Sequence, residues 1–148
     1  MNAPGDLLAR IRAINATAAF NQFLGIEVAS AKPGEVEIAM PWRREAGQYA
    51  GYLHAGVIGA LIDTACGFAA VTLVGRVIAS HYAVNCLRPA VGERFAARAR
   101  VVKPGRTQVF TACELYAVSG SAEKLVATGE TLLLVVQDSR DAGEPTGA

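Results

Sequence analysis

The chain is poor in the residues that most site chemistry draws on. Its 148 residues hold two histidines, three cysteines, two methionines and one tryptophan. Cys66, Cys86 and Cys113 form no CxxC pair, and with so few histidines a zinc signature is excluded, so no metal is expected. An odd number of widely spaced cysteines gives no disulfide framework either. They read as small buried hydrophobes in a reducing, cytoplasmic setting. No GxGxxG or GxxxxGK[ST] occurs, which removes the common nucleotide-binding loops. Charge of one sign is missing too: 14 Lys+Arg stand against 13 Asp+Glu, and only 18% of residues are charged. Without a basic stripe there is no footprint for nucleic acid. The opening MNAPGDLLARIRAI puts acid before base and is amphipathic, unlike a secretory signal.

What is abundant is apolar surface, 52% of the residues. At this length one domain over residues 1–137 is expected, with a solvated, flexible tail at 138–148 (DSRDAGEPTGA). Low net charge on so apolar a chain favours an oligomer. The longest apolar run, VIGALIDTACGFAAVTLV from Val57 to Val74, approaches membrane-span length. Asp63 near its middle would cost roughly 2.5–3.5 kcal/mol on insertion scales, so a fully buried helix is the better reading and no membrane span is expected.

Periodicity predicts the elements. Leu7, Leu8, Ile11, Ile14 and Ala18 mark an amphipathic helix from Asp6 to about Phe20. Alternation on both sides of Pro33-Gly34 marks a hairpin over residues 25–40, and a polar loop follows from Pro41 to Gly51. The long helix runs from Ala55 to Val74, with Gly75 placed to end it. Strands then follow over Val77–Arg88, Arg94–Lys103, Thr107–Val118 and Lys124–Val136, broken at Pro89, Pro104-Gly105 and Ser119-Gly120, as a meander. One apolar helix among antiparallel strands has no polar face for water, so the sheet must wrap it: an α+β domain with a central helix.

Two features of that helix carry chemistry. At His54-Ala55-Gly56 the backbone N–H groups lack intrahelical partners, and the small side chains let a carbonyl oxygen approach them. Alternatively the segment is simply a tight helix start. Asp63 is a carboxylate on an apolar helix, either bonded to Thr64, Gln48 or Tyr49 for structure or acting as general base or nucleophile. Gly56 and Asp63 are seven residues apart, about 10 Å along the axis. One carbonyl cannot bond to both. If both serve one reaction, a second helix running antiparallel must bring one chain's Asp63 to the other's Gly56 across a two-fold interface.

The segment LHAGVIGALIDTACGFAA resembles the helix signature of PaaI-like hotdog-fold acyl-CoA thioesterases, with an acidic residue nine positions after the histidine, as between His54 and Asp63. AVNCLRPAVGE and VVKPGRTQVFTACEL resemble the family's later strands, and the similarity spans about residues 20–136. It implies a hotdog fold, a curved antiparallel sheet around one long helix, assembled as a homodimer or homotetramer. It further implies Asp63 as general base or nucleophile, the N–H of Gly56 with that of Ala55 on the carbonyl oxygen, His54 orienting the loop, and Gln48 placing water. Ser80 or His81 would stand near that water. The substrate would be an acyl-CoA, hydrolysed to acid and free CoA with no other cofactor, and Arg88, Lys103 and Arg106 are candidates for its phosphates. Ala55 replaces the first glycine of the family's His-Gly-Gly, and Gln48 replaces asparagine. Competing readings are a non-catalytic acyl-CoA or lipid-binding module and an acyl-chain dehydratase or hydratase. Trp42, Tyr49 and Tyr52 flank the loop and either line the acyl pocket or pack ordinarily.

Overall fold

Alternating buried residues such as Val36, Ile38 and Met40, or Val109, Thr111, Cys113 and Leu115, give these strands an inward face, and that face encloses a helix. The structure, a computed structural model, describes residues 3–137. The elements are α1 (Pro4–Thr17), α2 (Ala19–Leu24), β1 (Glu27–Lys32), β2 (Glu35–Pro41), a 3-10 turn (Arg44–Ala46), α3 (Ala55–Val74), β3 (Val77–Cys86), β4 (Arg94–Lys103), β5 (Gln108–Ser119) and β6 (Ala122–Val135). Six strands form one antiparallel sheet in the order β1-β2-β4-β5-β6-β3. Every strand touches α3, so the sheet curls around it in the α+β hotdog arrangement expected. The expected tail at 138–148 lies outside the described residues.

Four features differ from the sequence reading. Only β4, β5 and β6 form a meander; β3 joins the far edge beside β6, because α3 crosses the sheet before β3 begins. β3 also stops at Cys86, since the N–H groups of Leu87 and Arg88 both turn to the Val126 carbonyl. The first helix is broken at Ala18 (φ −89°, ψ 106°), where the chain is held by Asn15 rather than by helix periodicity. Asn15 is buried; its Nδ2 donates to the Ile26 carbonyl at 2.8 Å, and its Oδ1 accepts from Asn21 Nδ2 at 3.0 Å.

The fourth difference concerns α3, which is not fully buried. Ile58, Leu61, Ile62, Ala65, Cys66 and Ala69 face the sheet. Gly56 is exposed, and Ala60, Asp63, Gly67 and Val71 are partly so, which at three- and four-residue spacing is a stripe of small residues along one side. β3, at the sheet's end, is likewise open: Ile78 and Tyr82 are more than half exposed.

Helix and sheet pack closely at Gly129 in β6. A Cβ there would lie 2.7 Å from the Ala83 carbonyl oxygen and 2.8 Å from Ile62 Cγ2. Neither backbone nor a packed β-branched side chain yields cheaply. Gly129→Ala is therefore expected to lower stability by about 2 kcal/mol, a fall of several degrees in Tm by calorimetry. An unchanged Tm would mean that α3 is free to move off β6.

Candidate active site

The N-terminus of α3 is built by His54. Its φ and ψ (−61°, 135°) are extended, its carbonyl accepts from Val57 and Ile58, and its Nδ1 accepts the Gly56 N–H at 2.8 Å. Accepting at Nδ1 puts the ring proton of a neutral His54 on Nε2. A Cβ at Gly56 would crowd this cap, lying 3.0 Å from Nδ1. The His54 N–H donates to the Ala46 carbonyl at 2.9 Å and the Leu53 N–H to the Ala90 carbonyl at 3.0 Å, so the preceding loop is pinned. The two expected oxyanion donors therefore differ: the Gly56 N–H is held by the His54 ring, while the Ala55 N–H has no partner among the described residues.

Gln48 opens a turn. Its carbonyl accepts from the Gly51 N–H at 3.1 Å, and its Oε1 accepts from the Ala50 N–H, which leaves Nε2 unengaged. Gly51 takes φ 80°, as that turn requires. Gln48, Tyr52, His54, Ala55 and Arg88 line a cavity of about 480 Å³ at the head of α3. Tyr49 also borders it, while Trp42 is a core residue packed edge-on to Phe95 at 6.4 Å.

Asp63 lies elsewhere, in a cavity of about 280 Å³ with Thr64, Gly67 and Phe68. Its Oδ1 is buried without a hydrogen-bond partner; among the described residues only Thr131 Oγ1 shares that state. None of Thr64, Gln48 or Tyr49 satisfies it. Burial pushes the Asp63 pKa above the ordinary carboxylate value. Neither Ser80 nor His81 reaches this cavity. A register shift between Ala79 and His81 turns Ala79 towards it, Ser80 Oγ donates to the Leu132 carbonyl at 3.2 Å, and His81 lines a separate cavity with Phe110. Ile14, on the apolar face of the first helix, and Asn21 also line the Asp63 cavity, a placement that periodicity alone does not reveal. The polar Asn15 and Asn21 beside an apolar helix stripe were the available signal.

The three phosphate candidates do not converge within one chain. Arg88 borders the cavity at the head of α3. Lys103 is level with His81 through the pairs Lys103↔Phe110, Phe110↔Leu132 and His81↔Leu132, and Arg106 lies in the turn beyond. Along the strand direction that is roughly 20 Å from Arg88. Of the cysteines, Cys66 and Cys113 are buried together, where the neighbouring Cys66 thiol and burial push the Cys113 thiol well up. Cys86, expected to be buried, is exposed because β3 is an edge strand.

Comparison with known proteins agrees with the fold. The sequence profile described as the thioesterase superfamily matches residues 50–123. A solved thioesterase family protein from Silicibacter pomeroyi is 37% identical, over 89% of this chain and 99% of that one, with a TM-score of 0.86. A provisionally named esterase from Halobacterium salinarum is 36% identical over 93 residues, and the match spans 61% of that protein's length. The PaaI protein from the phenylacetic acid degradation operon of E. coli shares the fold, with a TM-score of 0.82 at 21% identity over 92% of this chain and 97% of that one.

The unpartnered carboxylate has a measurable consequence. With the folded-state pKa raised, the folded protein holds the Asp63 proton to higher pH than the unfolded chain does, so stability falls as pH rises through that window. Asp63→Asn removes the effect. At neutral pH the variant is expected to be more stable than wild type by about 1 kcal/mol, the low end for an unsatisfied group because the residue is only half-buried. Urea unfolding should show the difference closing as pH drops below the ordinary carboxylate range; a less stable variant at neutral pH would mark Asp63 as a structural anchor.

Proposed function

The chain belongs to the thioesterase superfamily, and we propose that it is a hydrolase of thioesters that cleaves an acyl-CoA to a carboxylic acid and free CoA. The observation that carries this reading is Asp63, a desolvated carboxylate with no partner at Oδ1, on the helix whose first turn presents backbone N–H groups. Asp63 takes a proton from water, which attacks the carbonyl carbon, or attacks that carbon itself to give, once the thiolate has left, an acyl–aspartyl anhydride that water then hydrolyses. In either case the carbonyl oxygen gathers negative charge and is held by the N–H groups of Ala55 and Gly56. Collapse of the intermediate breaks the C–S bond, and the CoA thiolate leaves and is protonated. Gln48 Nε2 is available to orient the water, and His54 positions the loop by its cap. The reaction draws on no cofactor beyond the CoA of the substrate.

The complete site forms between two copies of the chain. Asp63 and the head of α3 line separate cavities on one protomer, about 10 Å apart along the helix. An antiparallel partner helix along the small-residue stripe brings one protomer's Asp63 to the other's Ala55 and Gly56. The same pairing supports phosphate contacts from Arg88 of one protomer with Lys103 and Arg106 of the other. Two such dimers pair into a tetramer, in the cytoplasm, where the three free thiols persist. A second reading, acyl-CoA binding without turnover, draws on the occupied Gly56 N–H, which leaves a carbonyl one free donor.

Thiol release from a panel of aromatic and aliphatic acyl-CoAs tests the chemistry. Asp63→Asn is expected to lower kcat by about 10²–10⁴-fold with oligomer size unchanged. Binding of the whole panel without thiol release would favour the second reading. Mixed assemblies test the shared site: Asp63→Asn and Gly56→Pro, each inactive alone, should recover about a quarter of wild-type activity when mixed, since half the dimers then hold one intact site. No recovery would place the whole site within one protomer.

A further inference from the structure

The cavity beside Asp63 is walled on one side by the N-terminal helices. Ile14 of α1 and Asn21 of α2 face Phe68 and Val71 of α3, with Val77 and Leu133 from the sheet. Most of the lining is apolar. Ile14 is a large aliphatic residue left 37% exposed, and it belongs to none of the buried clusters that hold the fold together. Its position is nevertheless specified. The neighbouring Asn15 is tied to Ile26 and to Asn21, Gln22 Nε2 donates to the Asn15 carbonyl at 3.0 Å, and Arg12 Nε donates to the Val28 carbonyl at 3.1 Å. Buried polar bonds of this kind fix geometry more than they add stability. They anchor the α1–α2 hook to the β1 side and hold Ile14 over the cavity.

We propose that the α1–α2 hook is the specificity element of the site: Ile14 closes the acyl pocket beside Asp63 and restricts the substrate to compact acyl groups, a short chain or a single ring. The inference rests on the thioesterase reading above. A thioester carbon attacked with the help of Asp63 must sit within hydrogen-bond reach of that carboxylate or its water. The CoA side of the sulfur is anionic and stays in solvent, so the acyl group is what enters the apolar cavity. At about 280 Å³ the cavity is at the lower edge of ligand pockets, which run from roughly 300 to 1,000 Å³. A longer chain meets Ile14.

The test measures hydrolysis and binding across straight-chain acyl-CoAs of increasing length, with phenylacetyl-CoA as the ring probe. Wild type is compared with Ile14→Ala, Ile14→Trp and, as a control, Phe23→Ala, which alters an exposed side chain of α2 stacked under Arg43 outside the cavity. Binding is measured by calorimetry on Asp63→Asn and on that variant combined with each substitution, so length preference is read without turnover. Ile14→Ala is expected to move the optimum to longer chains, raising kcat/KM for long relative to short substrates by about tenfold or more. Ile14→Trp should move it the other way, and Phe23→Ala should leave the profile in place. Profiles that stay parallel to wild type in both hydrolysis and binding overturn the proposal. No hydrolysis by wild type, with binding preferences still shifted by Ile14, would overturn the thioesterase reading and leave the hook as the selector of a binding module.

Discussion

An α-helix rises about 1.5 Å per residue and does not fold back on itself, and that rigidity organises everything around α3. His54, Ala55 and Gly56 stand at its head and Asp63 two turns further on, so the carboxylate and the head of the helix open into different cavities. No loop movement within one chain closes that gap, because both ends of it belong to the same helix. The sheet adds a second constraint. By closing to within contact of Ile62 at Gly129, it takes up the apolar side of α3 and leaves the stripe containing Gly56, Asp63 and Gly67 facing outward. The single chain thus leaves that side of the helix only partly covered.

His54 resolves an apparent conflict in the proposed mechanism. Its ring occupies the Gly56 N–H that a substrate carbonyl needs. A cap of this kind is worth about 1 kcal/mol. A ground-state thioester oxygen, weakly basic, gains little by displacing it. The oxyanion of the tetrahedral intermediate forms a charge-assisted bond, and a single such donor is worth about 2.7–4 kcal/mol. Exchange of the imidazole for the oxyanion is therefore favourable mainly when charge has developed, which is the condition for an interaction to lower a barrier rather than to tighten substrate binding. The second donor, Ala55, is open from the start, so binding and activation are divided between neighbouring N–H groups.

How legible this was in the sequence depended on the range of the interactions involved. The bounds of α3 and β4 match the reading residue for residue, because an apolar run between His54 and Gly75 and an alternating run stopped by Pro104 are local signals. The spacing of His54, Gly56 and Asp63 and the separation it enforces follow from helix geometry alone. What the sequence hid was long-range. The break at Ala18 depends on an Asn15 side chain bonding to a carbonyl eleven residues away. The position of β3 beside β6, and the bulge that presents Ala79 rather than Ser80 or His81, are set by pairing with a strand some fifty residues later. The distance between Arg88 and Lys103 depends on register across four strands, which no local pattern encodes.

Asp63 and Ile14 also show how the fold separates tasks that would otherwise interfere. Leaving a carboxylate oxygen buried and unpaired lowers stability, and the protein tolerates this on its most heavily packed element, where the loss is a small part of a large burial term. Varying acyl preference on that same helix would repeatedly disturb packing at Ile62, Ala65 and Cys66, each fully buried. The α1–α2 hook joins that core through Ile11 and Leu24 but not through Ile14. It is anchored by its own polar bonds and reaches the cavity with a side chain that the core does not need. A change at Ile14 alters the space beside the carboxylate without altering the helix that carries it. On this proposal the chemistry is fixed by the helix–sheet core, and the choice of acyl group is left to one side chain outside the buried clusters, which can vary without disturbing them.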